Sequence, residues 1–120
     1  MAGKSRLRRT ISRWANADDG YARDMRAEFV DDHNASIAEC PDRQMVTLRG
    51  SVRTVTVRPR GGVPALEAEL YDGSGSLTIL WLGRRRIAGI DPGRSLQVQG
   101  RIGIHDNERV MYNPKYELLG

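Results

Sequence analysis

The sequence has little cysteine and no long hydrophobic run. The single Cys40 excludes an internal disulfide and a metal site built from several cysteines. No apolar run approaches the roughly 18 residues that a membrane-spanning helix needs. The basic start, Met1 to Arg6, is not followed by an apolar segment, so we expect no secretory signal peptide. These absences favour a cytoplasmic protein that does not contact a membrane.

Groups that could carry out catalysis are also scarce. His33 and His105 are isolated in the sequence, and neither has the spacing of a metal-ligand pair. Cys40 has no neighbouring base, and no lysine follows Gly73-Ser-Gly-Ser as it would in a phosphate-binding loop. We therefore expect a non-catalytic protein with no metal and no cofactor.

The charges are distributed unevenly along the chain. Residues 1–13 carry five cations, residues 14–42 carry eight acidic residues and two arginines, and residues 43–120 carry twelve cations and seven anions. A basic arm and a basic C-terminal part suit an anionic partner such as nucleic acid. The pattern equally suits an acidic segment that folds back on the basic part and shields it.

Residues 1–42 are expected to form an N-terminal segment, helical or partly disordered, that comprises a basic arm and an acidic helical part. Two apolar stripes in this segment have helical spacing. They are Leu7-Ile11-Trp14 and Tyr21-Met25-Phe29. Two interpretations are open: the stripes dock on the folded domain or on each other, or the first, arginine-rich helix engages nucleic acid or a membrane.

Residues 43–120 have the two-residue periodicity of β-strands and are expected to form one domain. The alternation slips by one residue before Val55, which indicates a β-bulge in a long first strand. Turn signals at 58–64, at Asp72–Gly75 and at Asp106-Asn107 separate further strands. Residues 84–90 are expected to form a short helix between the third and fourth strands. The order predicts a mainly β, five-stranded OB-fold Greek-key barrel.

Several stretches also resemble a known group of domains. They are Gly50-Ser-Val-Arg, Leu70-Tyr-Asp-Gly-Ser-Gly, Pro92-Gly-Arg-Ser-Leu and Met111-Tyr-Asn-Pro-Lys-Tyr-Glu. In these the chain is similar to bacterial OB-fold nucleic-acid-binding domains, such as the wedge domain of the RecG helicase and the anticodon-binding domains of tRNA synthetases. It also looks like a small stand-alone actinobacterial OB-fold family. The resemblance covers residues 43–120 and implies nucleic-acid binding.

We predict a binding surface across the second and third strands and the loops beside them, as in OB domains generally. Guanidinium groups would contact phosphates and tyrosines would stack on bases. The predicted residues are Arg49, Arg53, Arg58, Arg60, Arg109, Tyr71 and Tyr112, with an accessory basic arm of Lys4, Arg6, Arg8, Arg9 and Arg13.

A competing interpretation concerns the acidic residues on the same face. Glu67 and Glu69 could pair with Arg49 and Arg53 across strands and leave little charge for phosphate. The leading hypothesis is sequence-tolerant binding of single-stranded DNA or RNA, which the sequence does not distinguish. The alternative is a protein-interaction or oligomerisation module, in which the N-terminal segment recruits a partner or a second copy.

Overall fold

The computed structural model describes residues 20–30 and 35–120 of the chain. Residues 20–29 are helical and Ile37–Glu39 form a short 3₁₀ turn, after which the described chain is mainly β. The strands are β1 (Met45–Arg60), β2 (Val63–Tyr71), β3 (Ser76–Leu82), β4 (Ser95–Arg101), β5 (Gly103–His105), β6 (Glu108–Tyr112) and β7 (Lys115–Leu119).

All seven strands of the described residues belong to one sheet with the order β5-β6-β3-β2-β1-β4-β7. β1, β2 and β3 form an antiparallel meander, and β3 pairs in parallel with β6. β4 and β5 are separated only by Ile102, yet β4 pairs with β1 while β5 pairs with β6. The segment 95–105 therefore runs from one edge region of the sheet to the other and closes it into a Greek-key barrel.

The barrel core confirms the strand periodicity. Leu48, Val52, Leu70, Ile79 and Val98 are all buried in it. The β1–β2 register shifts between Val52 and Thr54, where the slip in alternation predicts a bulge. The bulge lets one 16-residue strand pair with β4 by its first half and with β2 by its second half.

The expected count of five strands is wrong in detail. The predicted fourth strand is divided into β4 and β5, and β7 adds a further edge strand paired with β4. β7 escaped prediction because its five residues do not alternate between buried and exposed: Lys115 to Glu117 are exposed, and only Leu118 and Leu119 are partly buried.

The helix predicted between the third and fourth strands does not form: residues 83–94 make turns. Gly83 and Gly89 both have a positive φ, at 77° and 87°, so only five residues lie between two non-helical positions. So short a segment gains too few helical hydrogen bonds to offset nucleation. Ile87 and Ile90 are nevertheless buried in the core, while Arg84, Arg85 and Arg86 are exposed.

The N-terminal helix (residues 20–29) and residues 35–42 pack on the barrel. Phe29 of the second predicted stripe is buried, as are Ile37 and Cys40. The first stripe and the basic arm lie outside the described residues. The boundary proposed at residue 42 stays a prediction. No helix in the described part of the chain is long and apolar enough to cross a membrane.

Candidate nucleic-acid interface

The strand register creates a groove on the outer face of β1, β2, β3 and β6. Thr54 lies opposite Glu69, which lies opposite Thr78, and Thr56 lies opposite Glu67. Residues directly opposite one another in neighbouring strands share a face of the sheet. With the β5–β6 hairpin as its far wall, this face encloses a groove of about 720 Å³.

Part of the groove floor is apolar. Leu80 and Val110 line the groove and, with Ala65, form a small buried cluster separate from the barrel core. Tyr112 lines the groove beside Leu80, its register partner, and is 49% exposed. An exposed aromatic ring over an apolar floor is a surface on which a planar group can stack.

Arg58 and Arg60 lie at one end of the groove. The sequence places them in a loop, but β1 continues to Arg60 and the turn contains only Gly61 and Gly62. Arg58 Nε lies 3.1 Å and Arg60 Nη2 lies 3.4 Å from the carboxylate of Glu67. The arginine side chains are 63% and 49% exposed, whereas that of Glu67 is only 19% exposed. The guanidinium groups therefore stay in contact with solvent while they pair with Glu67, and they can turn toward another anion without first being exposed to water.

The groove contains more carboxylates than cations. Glu67, Glu69, Asp106 and Glu108 line it, against Arg58 and Arg60. The interpretation that Glu67 and Glu69 form ion pairs with arginines is therefore partly correct, but some of the partners differ from those expected. Glu67 pairs with Arg58 and Arg60 instead of Arg49, and Glu69 lies 3.7 Å from Arg53.

Tyr71 lies beyond the other end of the groove and is covered. The Arg53 guanidinium carbon lies 3.5 Å from the centroid of the Tyr71 ring. Tyr21 of the N-terminal helix stacks on the same ring, with centroids 6.0 Å apart and an angle of 11° between planes. Both groups occupy ring surface on which a base would otherwise stack.

Arg49 and Arg109 lie apart from the groove lining and bind within the protein. Arg49 Nε donates a 2.7 Å hydrogen bond to Gln97 on β4. Arg109 donates to the backbone carbonyls of Ala38 and Cys40, at 2.8 and 3.2 Å, and so ties the N-terminal segment to β6. The structure thus brings Arg58, Arg60 and Tyr112 together in the groove, whereas Arg49, Arg53, Tyr71 and Arg109 do not line it. Arg109 lines an adjoining depression that shares Glu69, Thr78 and Glu108 with the groove. The accessory residues Lys4, Arg6, Arg8, Arg9 and Arg13 lie outside the described residues.

Sequence reasoning missed several groove residues, among them Thr54, Thr56, Thr78 and Glu108. The signal for the first two was present: once the bulge shifts the alternation, Val55 faces the core and its neighbours face outward. Glu108 was not predicted because β6 reaches the groove by pairing with β3, which lies about 30 residues earlier in the sequence.

Two features of the described residues bear on the expectation that the protein is not an enzyme. They contain no group of three or more His, Cys, Asp or Glu side chains placed to hold a metal ion. Burial raises the pKa of the Cys40 thiol above its ordinary value of 9.0, and the nearby Arg109 only partly offsets this. The thiol donates to the Ser36 carbonyl oxygen at 3.2 Å. The absence of enzymatic activity remains an expectation.

No protein-family model matches the chain, and no curated protein matches it. Among solved structures, the chain is similar to RecG bound to a three-way DNA junction, with a TM-score of 0.60 and 16% identity over 74% of this chain. That match covers 13% of the RecG chain, so the protein spans a small part of the length of RecG. It is also similar to a replication protein A heterotrimer bound to single-stranded DNA, with a TM-score of 0.51 and 13% identity over 80% of this chain and 75% of that chain.

These likenesses, at identities of 16% and 13%, concern the fold. They agree with the strand order described above, in which a meander is closed by a bent fourth strand and a parallel β3–β6 pair. The resemblance to a stand-alone actinobacterial family stays a prediction. The predicted barrel type is confirmed: the chain has an OB fold.

Proposed function

We propose that the protein binds single-stranded nucleic acid, DNA or RNA, along the groove between Arg58 and the β5–β6 hairpin, without chemistry of its own. The observation that carries the proposal is the convergence of two exposed arginines and one exposed tyrosine, Tyr112, on one groove. The groove lies on β1, β2, β3 and β6, the face that OB folds commonly use for oligonucleotides. The two similar structures, each bound to DNA, support the proposal through their fold.

The arginines are suited to phosphate because their present partnership is weak. A guanidinium group forms two parallel hydrogen bonds with a phosphate, as it does with a carboxylate. Arg58 and Arg60 are exposed enough to turn from Glu67 toward a strand without a large desolvation cost. Tyr112 would stack on one base, which is worth about 1–3 kcal/mol by alanine substitution.

The test is fluorescence anisotropy of a labelled single strand, titrated at several salt concentrations. We expect the Arg58→Ala/Arg60→Ala double variant to weaken binding at low salt by about tenfold or more. Its log–log salt slope should be shallower by about 1.4, since each phosphate contact on a single strand contributes about 0.7.

The matched control is Arg94→Ala/Lys115→Ala. It removes the same charge from exposed positions, neither of which lines the groove. We expect it to change the affinity by less than about threefold, because unpaired long-range charge is largely screened at moderate salt. Equal losses in both double variants would show that net charge alone drives binding and that the groove is not the site.

One observation favours a second candidate, a protein-interaction module. The four carboxylates in the groove outnumber its arginines and suit a basic peptide better than a polyanion. Self-association through the second N-terminal stripe has less support, because Phe29 of that stripe is already buried on the barrel. If no strand binds at low salt while a lysine-rich peptide does, and Glu67→Gln abolishes peptide binding, the second candidate replaces the first.

A further inference from the structure

Two carboxylates occupy the part of the groove that bases would face. Glu67 and Glu69 alternate along β2, with the hydroxyls of Thr56 and Thr54 opposite them on β1. In OB folds, positively charged side chains follow the phosphates of a bound strand while its bases stack on aromatic side chains, and Tyr112 lines the same groove as the two carboxylates. A bound base would therefore present its hydrogen-bonding edge to carboxylate oxygens, which only accept hydrogen bonds.

When a strand binds, Glu67 needs hydrogen-bond donors from the ligand even more, because it then loses its ion pairs with arginine. Among the described residues, Arg58 and Arg60 are the cations within ion-pair distance of Glu67. If both turn to phosphates, a carboxylate with a largely buried side chain loses its compensating charge. A largely buried charge that loses partners is unfavourable, so the complex is more stable when the ligand supplies donors to Glu67.

Bases differ in the donors that they can supply. Cytosine presents the N4 amino group and adenine the N6 amino group, while thymine presents the O4 acceptor at the corresponding position. Guanine carries an N2 amino group. Thymine and uracil have a single donor, the N3–H group, which lies between the carbonyl oxygens O4 and O2. A carboxylate that accepts a hydrogen bond from N3–H therefore faces two oxygens that repel it, whereas an exocyclic amino group offers a donor at the edge of the ring.

Because the groove carboxylates only accept hydrogen bonds and the bases differ in their donors, we propose that the groove selects bases with an exocyclic amino group over thymine and uracil. The selected bases are cytosine, adenine and guanine. Glu67 and Glu69 are the residues that determine the preference. The groove threonines do not discriminate, because a hydroxyl both donates and accepts. The inference rests on the proposed function, since it concerns the same groove and the same ligand.

The experiment compares labelled 15-nucleotide strands of deoxycytidine, deoxyadenosine and deoxythymidine at one salt concentration. All three carry the same phosphate charge, so the ratio of their dissociation constants isolates the contribution of the bases. We expect the cytosine and adenine strands to bind at least about fivefold more tightly than the thymine strand, given the usual size of base discrimination by good hydrogen bonds.

The variants Glu67→Gln and Glu69→Gln test the assignment to these two residues. An amide both donates and accepts, so each variant should lower the preference for cytosine, measured as the dissociation constant of the thymine strand divided by that of the cytosine strand. Removal of a negative charge raises the affinity for every strand and does not change this ratio. The control Glu117→Gln removes an exposed carboxylate from β7, outside the groove, and should leave the ratio unchanged.

The outcomes separate this inference from the proposed function. Equal binding of the three strands, or a ratio that both groove variants leave unchanged, would refute the base preference while strand binding itself stands. Failure of every strand to bind at low salt would refute the proposed function and the preference together. Thermal unfolding of each variant shows whether the fold is intact.

Discussion

The two ends of the β2–β3 pair use polar side chains in opposite ways. At the pinned end, defined by Tyr71 and the hairpin Asp72–Gly75, polar groups bind other parts of the protein. At the open end, defined by Arg58, Arg60 and their turn Gly61-Gly62, the arginines are exposed and share a single carboxylate. The same two strands therefore build a structural anchor at one end and a candidate ligand site at the other.

Asp72 is the clearest example of a polar side chain at the pinned end that binds only other parts of the protein. Its carboxylate is fully buried and accepts hydrogen bonds from the backbone N–H of Ile37, Ser74 and Gly75 and from the Ser74 hydroxyl, at 2.6–3.1 Å. The bond to Ile37 spans 35 residues of sequence and fixes the 3₁₀ turn to the hairpin. A buried charge is tolerated here because four donors satisfy it.

The largest effect is expected from Asp72→Ala. It leaves three buried or half-buried backbone donors without their acceptor, and we expect a loss of about 3 kcal/mol or more in the free energy of unfolding. Urea denaturation measures it.

The matched control is Asp91→Ala, at an exposed turn position, with an expected change within about 0.5 kcal/mol. Similar losses in the two variants would contradict the contrast between a pinned carboxylate and a solvated one.

A second prediction compares a glycine from each end. Gly73 has φ of 90°, and a Cβ there would overlap the Ala22 carbonyl oxygen and lie 2.6 Å from the Arg26 backbone nitrogen. Gly62 has φ of 79° with open space around it. Both Gly→Ala variants carry backbone strain of about 1 kcal/mol, but only Gly73→Ala must also displace the N-terminal helix.

We therefore expect Gly62→Ala to cost about 1 kcal/mol and Gly73→Ala to cost about 2 kcal/mol or more. Amide hydrogen exchange of residues 20–29 provides the second measurement: it should accelerate in Gly73→Ala and stay unchanged in Gly62→Ala. Unchanged exchange in both would mean that the helix does not depend on close approach to the hairpin.

A third prediction uses one tyrosine from each region. Tyr112→Ala should weaken strand binding by about fivefold or more, since it removes the exposed stacking surface in the groove. Tyr21→Ala should leave binding unchanged within about twofold and lower stability by about 1 kcal/mol, the usual range for an aromatic pair. Anisotropy and urea denaturation of both variants give the four values. A large loss of binding in Tyr21→Ala alone would move the site to the pinned end.

The sequence predicts which side chains point outward from the barrel better than it predicts which groups those side chains contact. The periodicity placed Glu67, Glu69 and Tyr71 outward and predicted a bulge before Val55, close to the observed shift between Val52 and Thr54, because alternation follows directly from strand geometry. It could not identify the partner of Arg109, since the carbonyls of Ala38 and Cys40 lie about 70 residues away in a segment without periodicity. Nor could it show that Tyr71 is covered, because that depends on where a separate helix docks.

The smallest effect concerns Cys40, which lies under the pinned end and has no counterpart at the open end. Burial raises the pKa of its thiol above 9.0, so the folded protein retains the thiol proton at a pH where the unfolded chain loses it. The stability that the neutral thiol provides is therefore complete below about pH 9 and is lost as pH rises toward the folded-state pKa. We expect the stability advantage of the wild-type protein over Cys40→Ala to shrink as the pH rises above about 9. Titration of the tyrosines is common to both proteins and cancels in the comparison. Parallel pH profiles of the two would show that the thiol is accessible to water, and with it that the pinned end opens readily.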